Sequence, residues 1–332
     1  ETSFLNKRTI VFTTLGCKLN QYETDALASK FNMMDWNVIQ GNSDSLDNID
    51  CQVINTCTVT NKADRKSRNA IYRLHRRSDA QKQNSQKPIL TIITGCFPEN
   101  HNDKISIEKA FQDDYTIIVL NQYKSYIPDI VEAYFAGEII PLDSLIPDHF
   151  GYKTDTSNRL HTRATIKIQE GCDNFCSYCI IPYVRGSATS RPLPDILAEA
   201  EHLIKSGFLE IILTGINISR YEWEGKGLSD LLESLVTMDG IFRIRISSLE
   251  PDNLDHKLLQ IIAHPKICRH IHLCLQSGSD KILSAMKRVY NFQYFCSAVQ
   301  KIRKIDRFFN ITTDIIVGFP GETFDDFNAS LK

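Results

Sequence analysis

The stretch Ala164-Thr-Ile-Lys-Ile-Gln-Glu-Gly-Cys-Asp-Asn-Phe-Cys-Ser-Tyr-Cys179 joins a short β-rich run to a loop with three cysteines, Cys172, Cys176 and Cys179. Their C-x3-C-x2-C spacing lets three thiolates close around one metal centre at little cost to the backbone. Zinc and electron-transfer iron–sulfur sites normally take four ligands, yet the next cysteine in the sequence is Cys268. Because a cubane cluster held by three cysteines keeps one iron free, the stretch indicates a place for chemistry.

A structural zinc site with a histidine as fourth ligand is the main alternative for these cysteines. His161 and His202 are the candidates, and neither has the spacing of a zinc finger. Chance clustering of buried cysteines is a second alternative. A disulfide framework is not expected, because a chain of 332 residues is long enough to fold without such staples.

The composition is that of a folded protein with two domains. Hydrophobic residues make up 42% of the 332 residues, and the net charge is −2, from 38 basic and 40 acidic side chains. No apolar run approaches the ~18 residues that span a bilayer, so no membrane contact is expected. Ten cysteines without an export signal indicate the cytoplasm, where thiols stay reduced. Since Glu1 is not an initiator methionine, and Thr323 and Asp326 predict a helix that begins just before Lys332, we expect a piece of a longer protein.

Three β-rich runs in the first half of the chain each end at a cysteine. The runs are Thr9–Cys17, Gln52–Cys57 and Ile89–Cys96, with helical patterns at Gln21–Phe31 and Lys62–Arg77. Strands that alternate with helices predict a parallel sheet, whose carboxyl ends lie at one edge, where ligands usually bind. The sequence therefore predicts a second three-cysteine cluster site at Cys17, Cys57 and Cys96. The cysteines expected in the core are Cys51, Cys268, Cys274 and Cys296.

A polar stretch at residues 143–163 predicts a linker between a first domain at 8–142 and a second at 164–332. In the second domain the expected strands are Ala164–Gln169, Glu210–Thr214, Arg243–Ser248, His270–Leu275 and Asn310–Val317. The expected helices are Asp195–Ser206, Leu228–Met238, Leu254–Ala263 and Phe292–Lys304. This alternation predicts an α/β fold with a partial (β/α) barrel rather than a doubly wound sheet. The cysteine loop follows the first strand, at the end where barrels carry their catalytic groups.

Four of the loops after these strands are polar or rich in glycine. They are Thr214–Asn217, Ser247–Pro251, Gln276–Ser279 and Gly318–Glu322. Each alone is explained by turn chemistry, since Gly, Ser, Asn and Pro populate loops anyway. Four such loops on the same face as a cysteine cluster predict a ligand pocket, and their hydroxyl, amide and backbone N–H donors suit a nucleotide-like ligand.

The helical pattern Lys62–Arg77 concentrates positive charge. Seven Lys or Arg residues less one acid, Asp64, give a local charge of +6. The basic residues are Lys62, Arg65, Lys66, Arg68, Arg73, Arg76 and Arg77. A stripe of Ala63, Ala70, Ile71 and Leu74 leaves them on the exposed face. A solvated surface helix is the ordinary explanation, but this concentration of positive potential favours contact with RNA phosphates.

The triad with Tyr178 before its last cysteine resembles the radical S-adenosylmethionine signature. From about Arg8 to Lys332 the chain resembles the methylthiotransferase family. Leu15-Gly-Cys-Lys-Leu-Asn-Gln-Tyr-Glu-Thr24 and the segment Ile54–Arg68 are similar to the branch that acts on threonylcarbamoyladenosine in tRNA. The resemblance implies an N-terminal parallel-sheet α/β domain followed by a partial (β/α)6 radical barrel. A C-terminal RNA-binding β-barrel, usual in the family, is expected to be missing from this chain.

The resemblance also implies the roles of individual residues. Cys172, Cys176 and Cys179 would hold a [4Fe–4S] cluster whose open iron is chelated by S-adenosylmethionine, and Tyr178 would lie near the adenine. Thr214, Gly215 and Asn217 stand in place of a Gly-Gly-Glu element that this sequence lacks. The implied pocket is completed by Ser247, Ser248, Gln276, Gly318 and Glu322. Cys17, Cys57 and Cys96 would hold an auxiliary [4Fe–4S] cluster that delivers sulfur.

The implied activity is the addition of a 2-methylthio group to N6-threonylcarbamoyladenosine beside the anticodon of tRNA. A radical can remove hydrogen from an adenine carbon that acid–base catalysis cannot activate. The resemblance implies an electron donor such as a flavodoxin or ferredoxin and no obligate protein partner. The alternatives are methylthiolation of isopentenyladenosine in tRNA or of a ribosomal protein side chain, or a non-catalytic iron–sulfur protein that binds RNA or carries electrons.

Overall fold

The computed structural model describes residues 7–41, 48–83, 87–152 and 162–331. The chain forms two compact units, the first Glu1–Asn158 with Tyr183–Arg185 and the second Arg159–Pro182 with Gly186–Lys332. Residues 153–161 of the expected linker, including His161, lie outside the described residues. Within the described ranges, no helix is both long enough and apolar enough to cross a membrane.

The first unit contains a five-stranded parallel sheet in the order β2-β1-β3-β4-β5. Its strands are β1 Thr9–Thr14, β2 Asn37–Gln40, β3 Cys51–Thr56, β4 Leu90–Gly95 and β5 Thr116–Ile118. Its helices are α1 Lys18–Met33, α2 Asn61–Gln83, α3 His101–Ala110 and α4 Ile127–Ala136. The predicted parallel sheet is therefore confirmed, and both predicted helices extend beyond their expected bounds.

Helices cover both faces of this sheet, because alternate residues of the central strands face opposite sides. Val53 and Ile92 pack in one core with α1 and α4, whereas Ile54 and Ile93 pack in another with α2 and α3. Every residue of β3 and β4 is buried. The parallel direction places the ends of β1, β3 and β4 at one edge of the sheet.

The second unit is built on parallel strands that alternate with helices. One group of strands runs β12-β9-β6 and another β13-β14-β15. These strands are β6 Ala164–Lys167, β9 Glu210–Thr214, β12 Arg243–Ile246, β13 Ser248–Leu249, β14 His270–Leu273 and β15 Asn310–Thr312. Two short antiparallel pairs join β7 Gln169–Glu170 to β8 Thr189–Ser190 and β10 Glu222–Trp223 to β11 Lys226–Gly227.

The expected strand Arg243–Ser248 proves to be β12 and β13, which form hydrogen bonds to different neighbours on either side of Ser247. These strands supply five strand positions of a partial (β/α) barrel. The last expected strand, Asn310–Val317, is too long: β15 ends at Thr312. Beyond it Ile315 forms only an isolated bridge with Gln276, whose φ of 73° interrupts regular strand geometry.

The helices of the second unit are α5 Ile181–Val184, α6 Leu193–Lys205, α7 Leu228–Val236, α8 His256–Ile262, α9 Asp280–Ala285, α10 Phe292–Ile305 and α11 Phe324–Leu331. The last two residues of α5 belong to the first unit. Ile196 of α6, Leu231 of α7 and Ile302 of α10 pack in one core with the strands. The predicted capping box at α11 is confirmed, because Thr323 N donates to Asp326 Oδ2 at 2.9 Å and Asp326 N to Thr323 Oγ1 at 3.3 Å.

We predict that Gly95→Ala destabilises the first unit by about 2–5 kcal/mol, from a left-handed backbone cost plus steric overlap. Gly95 has φ +97°, and a Cβ there would lie 2.4 Å from the backbone N and O of Thr56. Gly137→Ala is the matched control, since φ is +79° and nothing lies within 4 Å of the added Cβ; its expected cost is about 1–2 kcal/mol. Urea unfolding followed by circular dichroism measures both, and equal costs would contradict the close approach at Gly95.

Candidate functional site

The first cysteine triad, Cys17, Cys57 and Cys96, lies at the carboxyl edge of the five-stranded sheet. Cys57 directly follows β3, Cys96 directly follows β4, and Cys17 precedes α1. Cys57 and Cys96 are each 3% exposed, whereas Cys17 is exposed. Gly16, at φ +112°, lets the loop after β1 lie against Cys57, because a Cβ at that position would lie 2.8 Å from the Cys57 Cβ.

The three thiols of this triad interact electrostatically. Burial raises the pKa of Cys57, and the thiols of Cys96 and Cys17 raise it further, while a backbone N–H of Val59 and the Arg185 guanidinium oppose the rise. A thiol that is neutral near pH 7 must lose its proton to bind a metal. The prediction that strand direction gathers these cysteines agrees with the positions of Cys57 and Cys96 directly after paired strands and with the close approach of Gly16 to Cys57.

A buried polar network lies beside this triad. The Arg185 Nε lies 3.2 Å from the Cys96 Sγ, and its Nη1 lies 2.8 Å from the Glu23 Oε1. The other carboxylate oxygen of Glu23 is 2.5 Å from the Lys124 Nζ. Arg185 also donates to Asn20, and Lys124 to Asn55 at 3.3 Å. The side chains of Lys124, Glu23 and Arg185 are at most 1% exposed, and burial lowers the pKa of Lys124.

This network was not among the features predicted from the sequence. Its members are far apart in the chain and share no spacing motif. The available signal was local: Asn20 and Asn55 lie inside the two long motifs that flank Cys17 and Cys57.

The second triad lies in a loop that its own backbone contacts fix. Gly171 has φ +69°, and a Cβ there would lie 2.0 Å from the carbonyl oxygen of Ser187. Cys172 N donates to the Gly186 carbonyl at 3.0 Å, and Cys179 N donates to the Cys176 carbonyl at 2.9 Å. These contacts bend the chain tightly after β7.

The second triad also has an arginine beside one thiol. Arg288 Nη1 lies 3.2 Å from the Cys176 Sγ, and the same guanidinium pairs with Glu250 and lies 2.7 Å from the Tyr290 hydroxyl. Burial raises the pKa of Cys179, and the neighbouring thiols of Cys176 and Cys172 raise this pKa further. Burial likewise raises the pKa of Glu250. Arg288 and Glu250 were not among the site residues predicted from the sequence.

Each triad offers three thiols, one fewer than the four protein ligands of an ordinary zinc or electron-transfer iron–sulfur site. Among the residues that the structure describes, no three His, Cys, Asp or Glu side chains are grouped closely enough to hold one metal ion. In a cubane cluster each cysteine binds a different iron, so the thiols stand farther apart than the ligands of one ion. Three cysteines in each triad, with thiolate chemistry, fit a [4Fe–4S] cluster.

The loop Thr214–Asn217 lies next to the second triad, as predicted. Thr214 ends β9 and is buried, and its carbonyl accepts from Ile168 N at 2.9 Å. A Cβ on Gly215 would lie 2.8 Å from the Gln169 carbonyl oxygen. Asn217 N donates to Gln169 Oε1 at 2.7 Å, and its Nδ2 is 3.9 Å from the Cys172 Sγ. Gln169, which the sequence analysis did not select, thus orients this loop.

Ser248 is the first residue of β13, and the other predicted pocket residues lie in loops that follow the strands. Ser247 is half-buried and Ser248 exposed. Gln276 N donates to the Asp314 carbonyl at 3.0 Å, and Gly318 N donates to the carboxylate of Glu322. Tyr178 is close to the triad, with its hydroxyl 3.5 Å from Arg288 Nη1. Their roles toward a ligand stay predictions.

The expectation of core packing is confirmed for two of the four remaining cysteines. Cys51 is fully buried and Cys268 is 8% exposed. For Cys274 and Cys296 the expectation is wrong, since both are only half-buried. Cys274 follows β14 at the carboxyl edge, where burial and the nearby Glu250 raise its pKa to about 12. Cys274 is half-buried because it lies after the strand rather than within it, whereas Cys296 lies on a half-buried side of α10.

The basic helix α2 presents its charges outward. Of the seven basic residues only Arg77 is half-buried, and the others are exposed. Arg68 forms ion pairs with Asp64 at 3.3 Å and Asp103 at 3.1 Å. On the buried side, Ser67 Oγ accepts from Cys57 N at 3.0 Å and donates to the Cys57 carbonyl at 2.7 Å. The helix is therefore attached directly to the first triad.

Comparisons with protein families match both units. A model described as Radical SAM superfamily matches residues 166–332, and one described as Uncharacterized protein family UPF0004 matches residues 9–117. The threonylcarbamoyladenosine tRNA methylthiotransferase MtaB of Aquifex aeolicus (strain VF5) is 36% identical over 328 residues, covering 97% of this chain and 76% of that protein. The tRNA-2-methylthio-N(6)-dimethylallyladenosine synthase of Endomicrobium trichonymphae is 32% identical over 322 residues, covering 96% and 71%.

Solved structures share the fold at low sequence identity. The cobalamin-dependent S-adenosylmethionine radical enzyme OxsB has a TM-score of 0.65 at 12% identity, over 98% of this chain and 52% of that chain. The radical S-adenosylmethionine methyltransferase TsrM of Kitasatospora setae has a TM-score of 0.66 at 14% identity, over 98% and 69%. The α/β fold with a radical barrel, predicted from the sequence, is thereby confirmed.

We predict that each triad binds one [4Fe–4S] cluster, so that the chain reconstituted without oxygen carries about eight irons. Cys57→Ala removes one ligand of the first triad and is expected to lower the count to about four. Cys51→Ala is the matched control, because Cys51 begins the strand that Cys57 follows; its iron count should stay at about eight. Iron and protein assays on the same samples measure this, and an unchanged count in Cys57→Ala would contradict the assignment of the first triad.

Proposed function

Because this chain belongs to the radical S-adenosylmethionine methylthiotransferases, we propose that it adds a 2-methylthio group to N6-threonylcarbamoyladenosine beside the anticodon of tRNA. The enzymes of this family use S-adenosylmethionine and two [4Fe–4S] clusters, and they methylthiolate tRNA. One observation carries the finer proposal. Two relatives that are 36% identical to this chain are named for threonylcarbamoyladenosine.

We assign one cluster to each triad. Cys172, Cys176 and Cys179 would hold the cluster that binds S-adenosylmethionine, and Cys17, Cys57 and Cys96 the auxiliary cluster. When bound, these groups supply radical chemistry at an unactivated carbon and the sulfur that is transferred. The chain itself contributes positions and charges: Arg288 fixes Cys176 and Glu250, and Gln169 fixes the loop of Asn217.

The loops at the carboxyl edge of the second unit are the proposed S-adenosylmethionine pocket. Asn217 lies beside the triad, with its side-chain amide nitrogen 3.9 Å from the Cys172 Sγ. Since the Gly-Gly-Glu triplet is missing, we propose that Asn217 and the neighbouring backbone serve in its place. Tyr178, half-exposed beside Arg288, offers an aromatic face to the adenine. The remaining proposed contacts are Thr214, Gly215, Ser247, Ser248, Gln276, Gly318 and Glu322.

Dimethylallyladenosine in tRNA is a second candidate substrate. Relatives named for dimethylallyladenosine are 31–32% identical to this chain, within the range of 31–36% found for relatives named for threonylcarbamoyladenosine. Both substrates are adenosines in tRNA, so the basic helix α2 suits either. We propose that action takes place in the cytoplasm, with a flavodoxin or ferredoxin as electron donor.

Mass spectrometry of tRNA nucleosides tests the substrate. Cells that lack the gene are expected to lose the 2-methylthio adduct of threonylcarbamoyladenosine and to keep that of dimethylallyladenosine. Restoring the gene should restore the adduct, whereas a Cys176→Ala version should not. Loss of the dimethylallyl adduct instead would assign the second substrate.

We predict that Arg65→Glu/Lys66→Glu weakens tRNA binding and its salt dependence, because both side chains are exposed on α2. Two lost phosphate contacts would reduce the slope of log K against log salt by about 1.4. Arg68 is left intact, since its ion pairs with Asp64 and Asp103 serve the fold.

The matched control is Lys301→Glu/Lys304→Glu on the exposed side of α10, which changes the net charge equally. It should leave the slope unchanged. Filter binding at several salt concentrations measures both variants, and equal effects would show that net charge, rather than α2, determines binding.

A further inference from the structure

We propose that Arg185 is a positioning residue of the first triad, whose guanidinium donates a hydrogen bond to Cys96 and thereby raises the reduction potential and the retention of the cluster bound there. The inference rests on the proposed assignment of a cluster to Cys17, Cys57 and Cys96.

The contact between Arg185 and Cys96 is buried. The Arg185 Nε is 3.2 Å from the Cys96 Sγ, the Arg185 side chain is 1% exposed and Cys96 is 3% exposed. Hydrogen bonds to a charged acceptor are stronger than neutral ones, and a low local dielectric strengthens them further. The contact therefore places a buried cationic donor directly against the sulfur that would bind iron.

The guanidinium has a fixed orientation because its other nitrogens are also engaged. Nη1 lies 2.8 Å from the Glu23 Oε1, and Nη2 donates to Asn20. Glu23 is held in turn by Lys124, whose Nζ is 2.5 Å from Oε2. Only the planar fork of arginine makes three such contacts at once, so lysine is not an equivalent residue here.

A positive charge beside Cys96 affects the reduction potential of an iron–sulfur cluster bound there. The potential of such a cluster depends on net charge, hydrogen bonds to its sulfurs and exposure. Reduction adds negative charge, which the Arg185 guanidinium stabilises, so the arginine raises the potential. The second unit repeats the arrangement independently, with Arg288 Nη1 at 3.2 Å from the Cys176 Sγ.

The test uses the full chain with Cys172, Cys176 and Cys179 changed to alanine, so that only the first cluster gives a signal. In this background the parent is compared with Arg185→Gln, which removes the charge. Arg191→Gln is the matched control, a buried arginine that pairs with Glu199. After anaerobic reconstitution, an electron paramagnetic resonance titration gives the midpoint potential, and visible absorbance gives the lifetime of the cluster in air.

Arg185→Gln is expected to shift the midpoint potential to a more negative value and to shorten the cluster lifetime by about 10-fold. Arg191→Gln should match the parent in both. A midpoint potential in Arg185→Gln equal to that of the parent overturns the proposal, since a merely structural role would not set the potential.

If Arg185→Gln cannot be purified, the same two measurements are made on Arg185→Lys. This variant keeps a cation for Glu23 but loses the Nε contact to Cys96. A more negative potential in Arg185→Lys supports the proposal, and an unchanged one overturns it. A parent that binds no iron would contradict the triad assignment itself. That result differs from an unchanged potential, which contradicts only the role of Arg185.

Discussion

The common direction of the strands is the constraint on which the rest of each unit depends. Hydrogen-bonded parallel pairing brings the carboxyl ends of β1, β3 and β4 to one edge, and Cys17, Cys57 and Cys96 follow those ends. The second unit uses the same rule, with polar loops after parallel strands and a cysteine loop that follows β7, just beyond the parallel strand β6. Because ligands bind at this edge in parallel α/β folds, residues remote in sequence become members of one site without any local motif that joins them.

The second constraint on each site is electrostatic, because a buried thiolate requires a positively charged or hydrogen-bonding partner. A buried ion pair that loses one member costs about 3–5 kcal/mol. Each triad therefore combines thiols with an arginine that is itself held by a glutamate, Glu23 in one unit and Glu250 in the other. The glutamate directs the guanidinium, and the guanidinium in turn fixes one sulfur. Such a chain of contacts determines the orientation of the thiol before any metal arrives.

Much of this could be predicted from the sequence, because the signals were local. The β-rich runs, the helical stripe of α2 and the spacing of Cys172, Cys176 and Cys179 are properties of short segments. The contact of Arg185 with Cys96 could not, since it joins residues far apart in the chain and arginine occurs everywhere on protein surfaces. The ends of strands were also hard to predict. Cys274 was expected within a strand, yet β14 ends at Leu273, so Cys274 lies at the carboxyl edge and not in the core.

The membership of Tyr183–Arg185 in the first unit has a consequence for how this architecture can be divided. A gene fragment that ends before the second unit would encode the whole five-stranded sheet but would omit the guanidinium that contacts Cys96 and Glu23. The N-terminal part alone therefore lacks a residue of its own site. This applies both to its expression in the laboratory and to recombination between genes. Exchange of that part between relatives would succeed only where the donor and the recipient agree on three residues encoded inside the other domain.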